Sequence, residues 1–245
     1  MVEGKWAARL GKWALWLALA GLALAAIGVV LARYDVVAKF GGFTALLLGG
    51  GIALLALLAG LTSVLMPPRG AAARRGRAIA AIVLAVPLVG FLGSRPMSAG
   101  DVPAIHDVTT DPANPPQFRA LTLRADNLAG VETLDNWRAL HRQAYGELRP
   151  LHVTLSVPEV MERARGIALE EGWKIAAFSS DEGRLEAKAS VSFIRFYDDV
   201  VIEATPAPEG EGSVVNMRSV SRIGISDFGV NAARIRAFLA RLAGA

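Results

Sequence analysis

The chain has no cysteine, which excludes disulfides, thiolate metal sites and a cysteine nucleophile. Histidine is nearly absent too. His106, His141 and His152 are the three, and no two share a helical spacing that would present a pair of imidazoles to zinc. His106 lies near Asp107 and Asp111, but in a proline-rich stretch, so no metal and no cofactor are expected. A G-x-S-x-G nucleophile elbow is missing, and so is a phosphate-cradling glycine loop. The triplet Gly49-Gly50-Gly51 sits inside an apolar run. The most informative absence is of charge: Trp13 to Ala32 and Phe40 to Met66 contain no ionisable side chain.

What is abundant is hydrophobicity, 53% of residues with a mean hydropathy of +0.40, high for a soluble protein. The net charge of +4 is unevenly placed: nine Lys/Arg against two acids precede Gly93, and seventeen against twenty follow it. The basic excess therefore belongs to the apolar part. No stripe of Lys/Arg interleaved with aromatics follows it, so nucleic acid is not an expected partner.

Residues 1–93 read as a membrane anchor of three transmembrane helices, about 13–32, 40–66 and 78–93. A stretch of about twenty apolar residues crosses ~30 Å of hydrocarbon. Pro67-Pro68 stops the second span. The third is short and contains Pro87, so it either crosses with Arg77 and Arg95 snorkelling outward or is re-entrant. A basic, apolar start is also what a cleaved signal shows, but the run is long and two more follow. Lys5, Arg9 and Lys12 precede the first span, and Arg69, Arg74, Arg75 and Arg77 follow the second. The first loop has Arg33 and Lys39 with Asp35 between them. Basic segments stay cytoplasmic, so three crossings put the remainder outside, in a bacterium the periplasm; a re-entrant third span would leave it cytoplasmic. The expectation is a multi-pass protein of the bacterial inner membrane with a cytoplasmic N-terminus. The bilayer itself is an expected partner. Thr44, Thr62 and Ser63 are the spans' few polar side chains, which argues for an inert anchor over a transport pathway. Gly41, Ala45, Gly49 and Ala53 recur every four residues, a small-residue stripe for packing within the bundle or for homo-oligomerisation through the second span.

Residues 94–125 lack periodicity and are rich in Pro, Asp and Thr, and read as an extended tether over a folded body. Residues 126–245 read as the soluble domain. Leu134, Trp137 and Leu140 suggest a short helix. Leu151 to Val157 alternates as a strand, and a helix follows from Pro158 to a glycine cap at Gly172. Strands are expected at Trp173–Phe178, from Arg184 (Leu185, Ala187, Ala189, Val191 and Phe193 inward; Arg184, Glu186, Lys188, Ser190 and Ser192 outward), at Asp199–Thr205 and at Ser213–Arg222. A last helix, capped by Ser226 or Asp227, buries Ile235, Phe238, Leu239 and Leu242. It carries Arg234, Arg236 and Arg241 mostly on its outer side. The fold class is therefore N-terminal transmembrane helices plus an α+β domain, an antiparallel sheet with two helices of helix-grip or TATA-binding-protein-like type.

Several stretches carry a resemblance: Ile105-His-Asp-Val-Thr-Thr-Asp111 with Asn114-Pro-Pro116 and Phe118, Gln143-Ala-Tyr145, Gly172-Trp173, Gly183-Arg-Leu-Glu-Ala187 and Phe196-Tyr-Asp-Asp-Val-Val-Ile202. The densest runs from Met217 through Arg222-Ile-Gly-Ile-Ser-Asp-Phe-Gly229 to Arg236. Together they resemble domain-of-unknown-function family 1499, found in bacterial envelope proteins and plastids, over about residues 104–242. Its members often carry N-terminal spans, and some begin the domain with a cysteine-containing segment that is missing here. The resemblance implies no catalytic residue.

From the residues themselves, Asp198 and Asp199 stand at a strand entry near Arg218 and Arg222, either as a carboxylate–guanidinium site or as cross-strand ion pairs. Ser219, Ser221, Ser226, Asp227, Asn231 and Arg234 gather at the last strand–helix junction, as an anion site or as caps. The ligand-binding candidates are thus Asp198, Asp199, Arg218, Arg222, Ser226, Asp227, Asn231 and Arg234. The leading expectation is a non-enzymatic envelope protein whose periplasmic domain binds a partner protein or a lipid-like ligand. The alternative is a membrane-anchored hydrolase or transferase using the Asp/Arg/Ser cluster.

Overall fold

The computed structural model describes residues 3–65, 75–94, 103–208 and 210–244. Pro67-Pro68, Arg69 and Arg74, and the first part of the expected tether up to Val102, lie outside the described residues. The chain divides into a helical unit and a sheet unit.

Three helices make the first: α1 (Glu3–Arg33), α2 (Lys39–Leu65) and α3 (Gly76–Ser94). All three are long and apolar enough to cross a membrane. α3 is continuous through Pro87, and its 19 residues give about 28 Å of length. α1 starts well before Trp13, so Arg9 and Lys12 are helical residues.

Packing in this unit follows a repeat that inspection of α2 alone misses. The buried side of α1 is Ala7, Gly11, Ala14, Ala18, Gly21, Ala25, Gly28 and Ala32, steps of four and three in strict alternation. α2 answers with Gly42, Leu46, Gly49, Ala53, Ala56, Gly60 and Ser63. A period of 3.5 keeps one seam turned to the partner and drives a left-handed supercoil. Nearly every knob is small, so the backbones approach closely. A Cβ on Gly49 would lie 2.5 Å from the Gly21 carbonyl oxygen, and one on Gly28 2.3 Å from Ala45 Cβ. Ala78, Ala81 and Ala85 continue the seam on α3. Of the four-residue stripe, Ala45, Gly49 and Ala53 lie against α1, while a Cβ on Gly41 would meet nothing within 4 Å. Polar groups close locally. Ser63 Oγ donates to the Ala7 carbonyl at 2.8 Å, and Lys39 Nζ to the Ala32 carbonyl at 2.6 Å while pairing with Asp35 at 2.9 Å.

The second unit is an antiparallel sheet with helices, as its alternating strands require. Its elements are β1 (Asp107–Thr109), α4 (Leu134–Tyr145), β2 (Leu151–Val153), α5 (Val157–Glu170), β3 (Lys174–Ser179), β4 (Arg184–Val191), β5 (Phe196–Pro206), β6 (Ser213–Ser221) and α6 (Val230–Ala243). The order is β1-β6-β5-β4-β3, and β2 also pairs with β6, beyond the end of β1. Leu185, Ala187, Val200, Ile202, Val215 and Met217 face Val160, Met161, Ala164, Ile235, Phe238 and Leu242 of α5 and α6 in one core. Trp137 and Tyr145 of α4 join them, so three helices cover this face where two were expected.

Boundaries moved where capping overrode alternation. The expected strand through Val157 stops at Val153, because Glu159 reaches back to the Ser156 N–H at 2.9 Å and its hydroxyl at 2.6 Å, starting α5 at Val157. α6 begins later than expected. Gly229 is its N-cap, and Asp227 serves it from upstream, accepting from the N–H groups of Gly229 at 2.9 Å and Asn231 at 2.6 Å. Gly183 turns β3 into β4 with φ of 62° at a point where a Cβ would lie 2.1 Å from the Ala204 carbonyl oxygen, so only glycine fits.

Candidate functional site

Alternation along β4, β5 and β6 sends one set of side chains to the helices and the other to the opposite face. That opposite face is not open. Residues 111–124 cross it as a strap, and Glu186 anchors them. Its side chain is fully buried and accepts from the N–H groups of Arg119 at 2.7 Å, Ala120 at 2.9 Å and Leu121 at 2.8 Å, with Arg184 Nε at 3.0 Å. Burial alone would raise this carboxyl, but the three backbone donors and Arg184 outweigh it and hold it below the usual glutamate range. Arg184 and Glu186 were expected to point into solvent; the strap is why they do not.

A second anchor lies beside it. Arg218 forks onto Asp107 at 2.9 and 2.7 Å, donates to the Pro116 carbonyl at 3.1 Å, and stands 5.7 Å from the Phe118 ring. Asn127 donates to the same aspartate, and Trp137 Nε1 to the Asp107 carbonyl at 2.9 Å. Arg218 and Asp107 are both buried, so this bidentate pair fixes β1, the strap and β6 together.

The sheet divides the two neighbouring aspartates. Asp198 faces the helices and meets Arg234 Nη2 at 2.7 Å. Arg234 Nη1 donates to Ser219 Oγ at 2.8 Å and to Asn231 Oδ1, and Asn231 donates to Ser221 Oγ at 3.0 Å and to the His106 carbonyl at 2.9 Å. Arg234 therefore points inward, contrary to the expected outer placement; Arg236 and Arg241 do pair on the surface, with Glu147 and with Glu170 and Glu171. Asp199 faces the strap side and takes Arg222 through Nε at 3.0 Å and Nη2 at 2.8 Å. Burial pushes its carboxyl up, and Arg222 pulls it back in part. Ser226 stays in the loop, donating to the Pro103 carbonyl at 3.4 Å. So Asp198, Ser219, Asn231, Arg234 and Asp227 form one closed network, and Asp199 with Arg222 another; Arg218 belongs to Asp107.

The histidine group does not converge either. His106 Nε2 meets Asn127 Oδ1 at 3.3 Å, Asp107 goes to Arg218, and Asp111 Oδ1 accepts from the N–H groups of Ala113 and Asn114. His141 is fully buried, and its Nε2 accepts from the Thr109 N–H at 3.1 Å, which places its proton on Nδ1. Burial lowers both imidazoles. Neither His141 Nδ1 nor the buried Tyr145 hydroxyl has a hydrogen-bond partner among the described residues, and burial pushes Tyr145 up to about 12.

Strap and sheet leave between them a groove of about 430 Å³ lined by Leu121, Arg124, Lys188, Asp199 and Arg222 among others. Lys188 faces Asp199 across β4 and β5 without closing an ion pair among the described residues. Arg222 is 37% exposed at its side chain. Arg124 is held by Asp126 through two contacts of 2.7 Å and donates to the Gly224 carbonyl at 2.7 Å. Sequence inspection picked Asp199 and Arg222 from this set. It missed Lys188 and Arg124, whose only trace was an outward position on an alternating strand and a place in the strap.

The chain thus combines membrane-length helices with a strapped antiparallel α+β domain. It belongs to the family described as protein of unknown function (DUF1499), whose model matches residues 107–242. No curated protein and no solved structure matches the chain.

Proposed function

We propose that this is a membrane-anchored binding module of the cell envelope, with a cytoplasmic N-terminus and the sheet domain on the outer, periplasmic side, and that its ligand site is the strap-side groove. The observation that carries the reading is the contrast in access. The Asp198–Arg234–Ser219–Asn231 network is buried and closed on itself on the helix side of the sheet, whereas Lys188 and Arg222 open into a groove on the strap side. A hydrolase or transferase needs an accessible nucleophile and a nearby base. Ser219 is fully buried and shared between Arg234 and Asn231, which argues against that alternative. The orientation is supported by the Lys/Arg counts: Arg33 and Lys39 flank the first loop, against Lys5, Arg9 and Lys12 before it and Arg69, Arg74, Arg75 and Arg77 after the second helix.

The test is a benzoyl-phenylalanine at Thr122, exposed on the strap, in the full chain in its membrane, with the same probe at exposed Arg142 of α4 as control. A ligand or neighbour captured at Thr122 and not at Arg142 is the expected result. Equal capture, or none at either site under mild extraction, would contradict the reading.

A further inference from the structure

The loop joining β6 to α6 carries three large hydrophobic side chains in the open: Ile223 38%, Ile225 53% and Phe228 67% exposed. Elsewhere in the described sheet domain, outside the β4–β5 turn, only Leu134 and Leu169 are comparably exposed large hydrophobics. Exposed apolar groups scattered singly need no explanation; three within six residues do. Phe228 also has φ of 54°, a left-handed conformation that disfavours a bulky residue. The loop is nevertheless held in place: Asp227 caps α6, Ser226 reaches Pro103, and Arg124 grips the Gly224 carbonyl.

That last contact ties the apolar loop to the cationic groove, because Arg124 lines it and Arg222 is both groove wall and loop entry. The charges do not cancel. Asp199 answers Arg222 and Asp126 answers Arg124, which leaves Lys188 in excess. Arg222 spends Nε and Nη2 on Asp199, and its Nη1 makes no hydrogen bond among the described residues. One surplus positive charge with spare donors, next to an apolar ledge, complements an amphiphile with one negative charge.

We propose that this groove and loop bind an anionic lipid, its phosphodiester on Lys188 and Arg222 and its acyl chain along Ile223, Ile225 and Phe228. This names the ligand class for the site under Proposed function and rests on that reading. Three helices long and apolar enough to cross a membrane give the chain a bilayer as the source of such a lipid.

The test uses the full chain in phosphatidylcholine nanodiscs doped with phosphatidylglycerol bearing a diazirine on its acyl chain, with adducts mapped by mass spectrometry. Adducts on 222–229 are expected in addition to those on the helices. Phe228→Gly suits the left-handed backbone, so it should leave the thermal melt equal or higher while lowering loop adducts about fivefold. Lys188→Gln breaks no ion pair among the described residues and should lower them by about the same factor. Adducts confined to the helices would overturn the proposal, as would equal loop labelling by the phosphatidylcholine analogue. Full competition by equimolar glycerol phosphate would also overturn it, reassigning the site to a free phosphate. A protein captured at Thr122 with no loop adduct would end the lipid inference and leave the binding module standing; capture of nothing by either route would end both.

Discussion

The helical unit and the sheet unit specify their packing with opposite chemistry. In the helices the seam carries little side chain: interspersed Gly and Ala let α1 and α2 meet at backbone distance, with Leu46 the one large member and Ser63 the one polar member among the described residues. In the sheet domain the decisive contacts on the strap side are buried ions, Asp107–Arg218 and Glu186–Arg184. The difference fits helices long and apolar enough to cross a membrane. In lipid such helices would have no hydrophobic drive between them, and close van der Waals approach would have to supply it. Water lets a domain bury apolar area cheaply, and paired charges then select one arrangement of an otherwise irregular strap.

If that contrast is right, substitutions should act differently in the two units. The largest effect is expected from Asp107→Ala, which leaves the buried Arg218 guanidinium unpaired and releases β1 and the strap at once. A loss of about 3–5 kcal/mol should appear in chemical denaturation of the domain. A loss below about 1 kcal/mol would mean the strap does not depend on this pair. Next comes Gly49→Leu, whose side chain would enter the Gly21 backbone. It should cost about 1–3 kcal/mol by overpacking, read as weakened α1–α2 association in detergent, while the domain's own melt stays put. If instead an oligomer dissolves with the bundle intact, Gly49 serves contacts between copies.

The pH response sharpens the comparison further. His106 and His141 are lowered by burial from the ordinary 6.5, so the unfolded chain binds the proton more readily. Their contribution is complete above about 6.5 and declines as pH falls through that value toward their folded pKa. The slope is at most about 1.4 kcal/mol per pH unit for each histidine. The helical unit holds neither residue and should not respond between pH 7 and 5. A domain melt that is flat over this range would show that both imidazoles titrate normally. The smallest effect belongs to Gly41→Leu, which faces open space and should change bundle stability by less than about 0.5 kcal/mol.

Much of the fold was legible in local pattern. Strong alternation from Leu185 to Ala189 and the stripe Ile235, Phe238 and Leu242 placed β4 and α6 on the right faces, because burial there is one-sided. β1 was not legible: three residues, Asp107–Thr109, embedded in proline-rich chain carry no period. The strap's effect on Arg184 and Glu186 was hidden for a related reason, since alternation reveals two faces but not that a distant segment covers the second. The anchor's heptad of small residues was visible in principle, but it has to be traced along α1, where the apolar run begins only after Arg9 and Lys12. Of the candidate site, the proximity of Asp199 to Arg222 followed from neighbouring strands. The separation of Asp198 from Asp199 also follows from period two, yet adjacency in sequence disguised it.

The proposed envelope role requires a domain that faces outward from the membrane, and the absence of cysteine allows a clean measurement. A single Asp181→Cys at an exposed turn, in otherwise unaltered full-length chain, is treated with a membrane-impermeant maleimide in intact spheroplasts and again after lysis. Equal labelling in both states is the predicted result. Labelling only after lysis would place the groove in the cytoplasm and contradict the envelope-facing role.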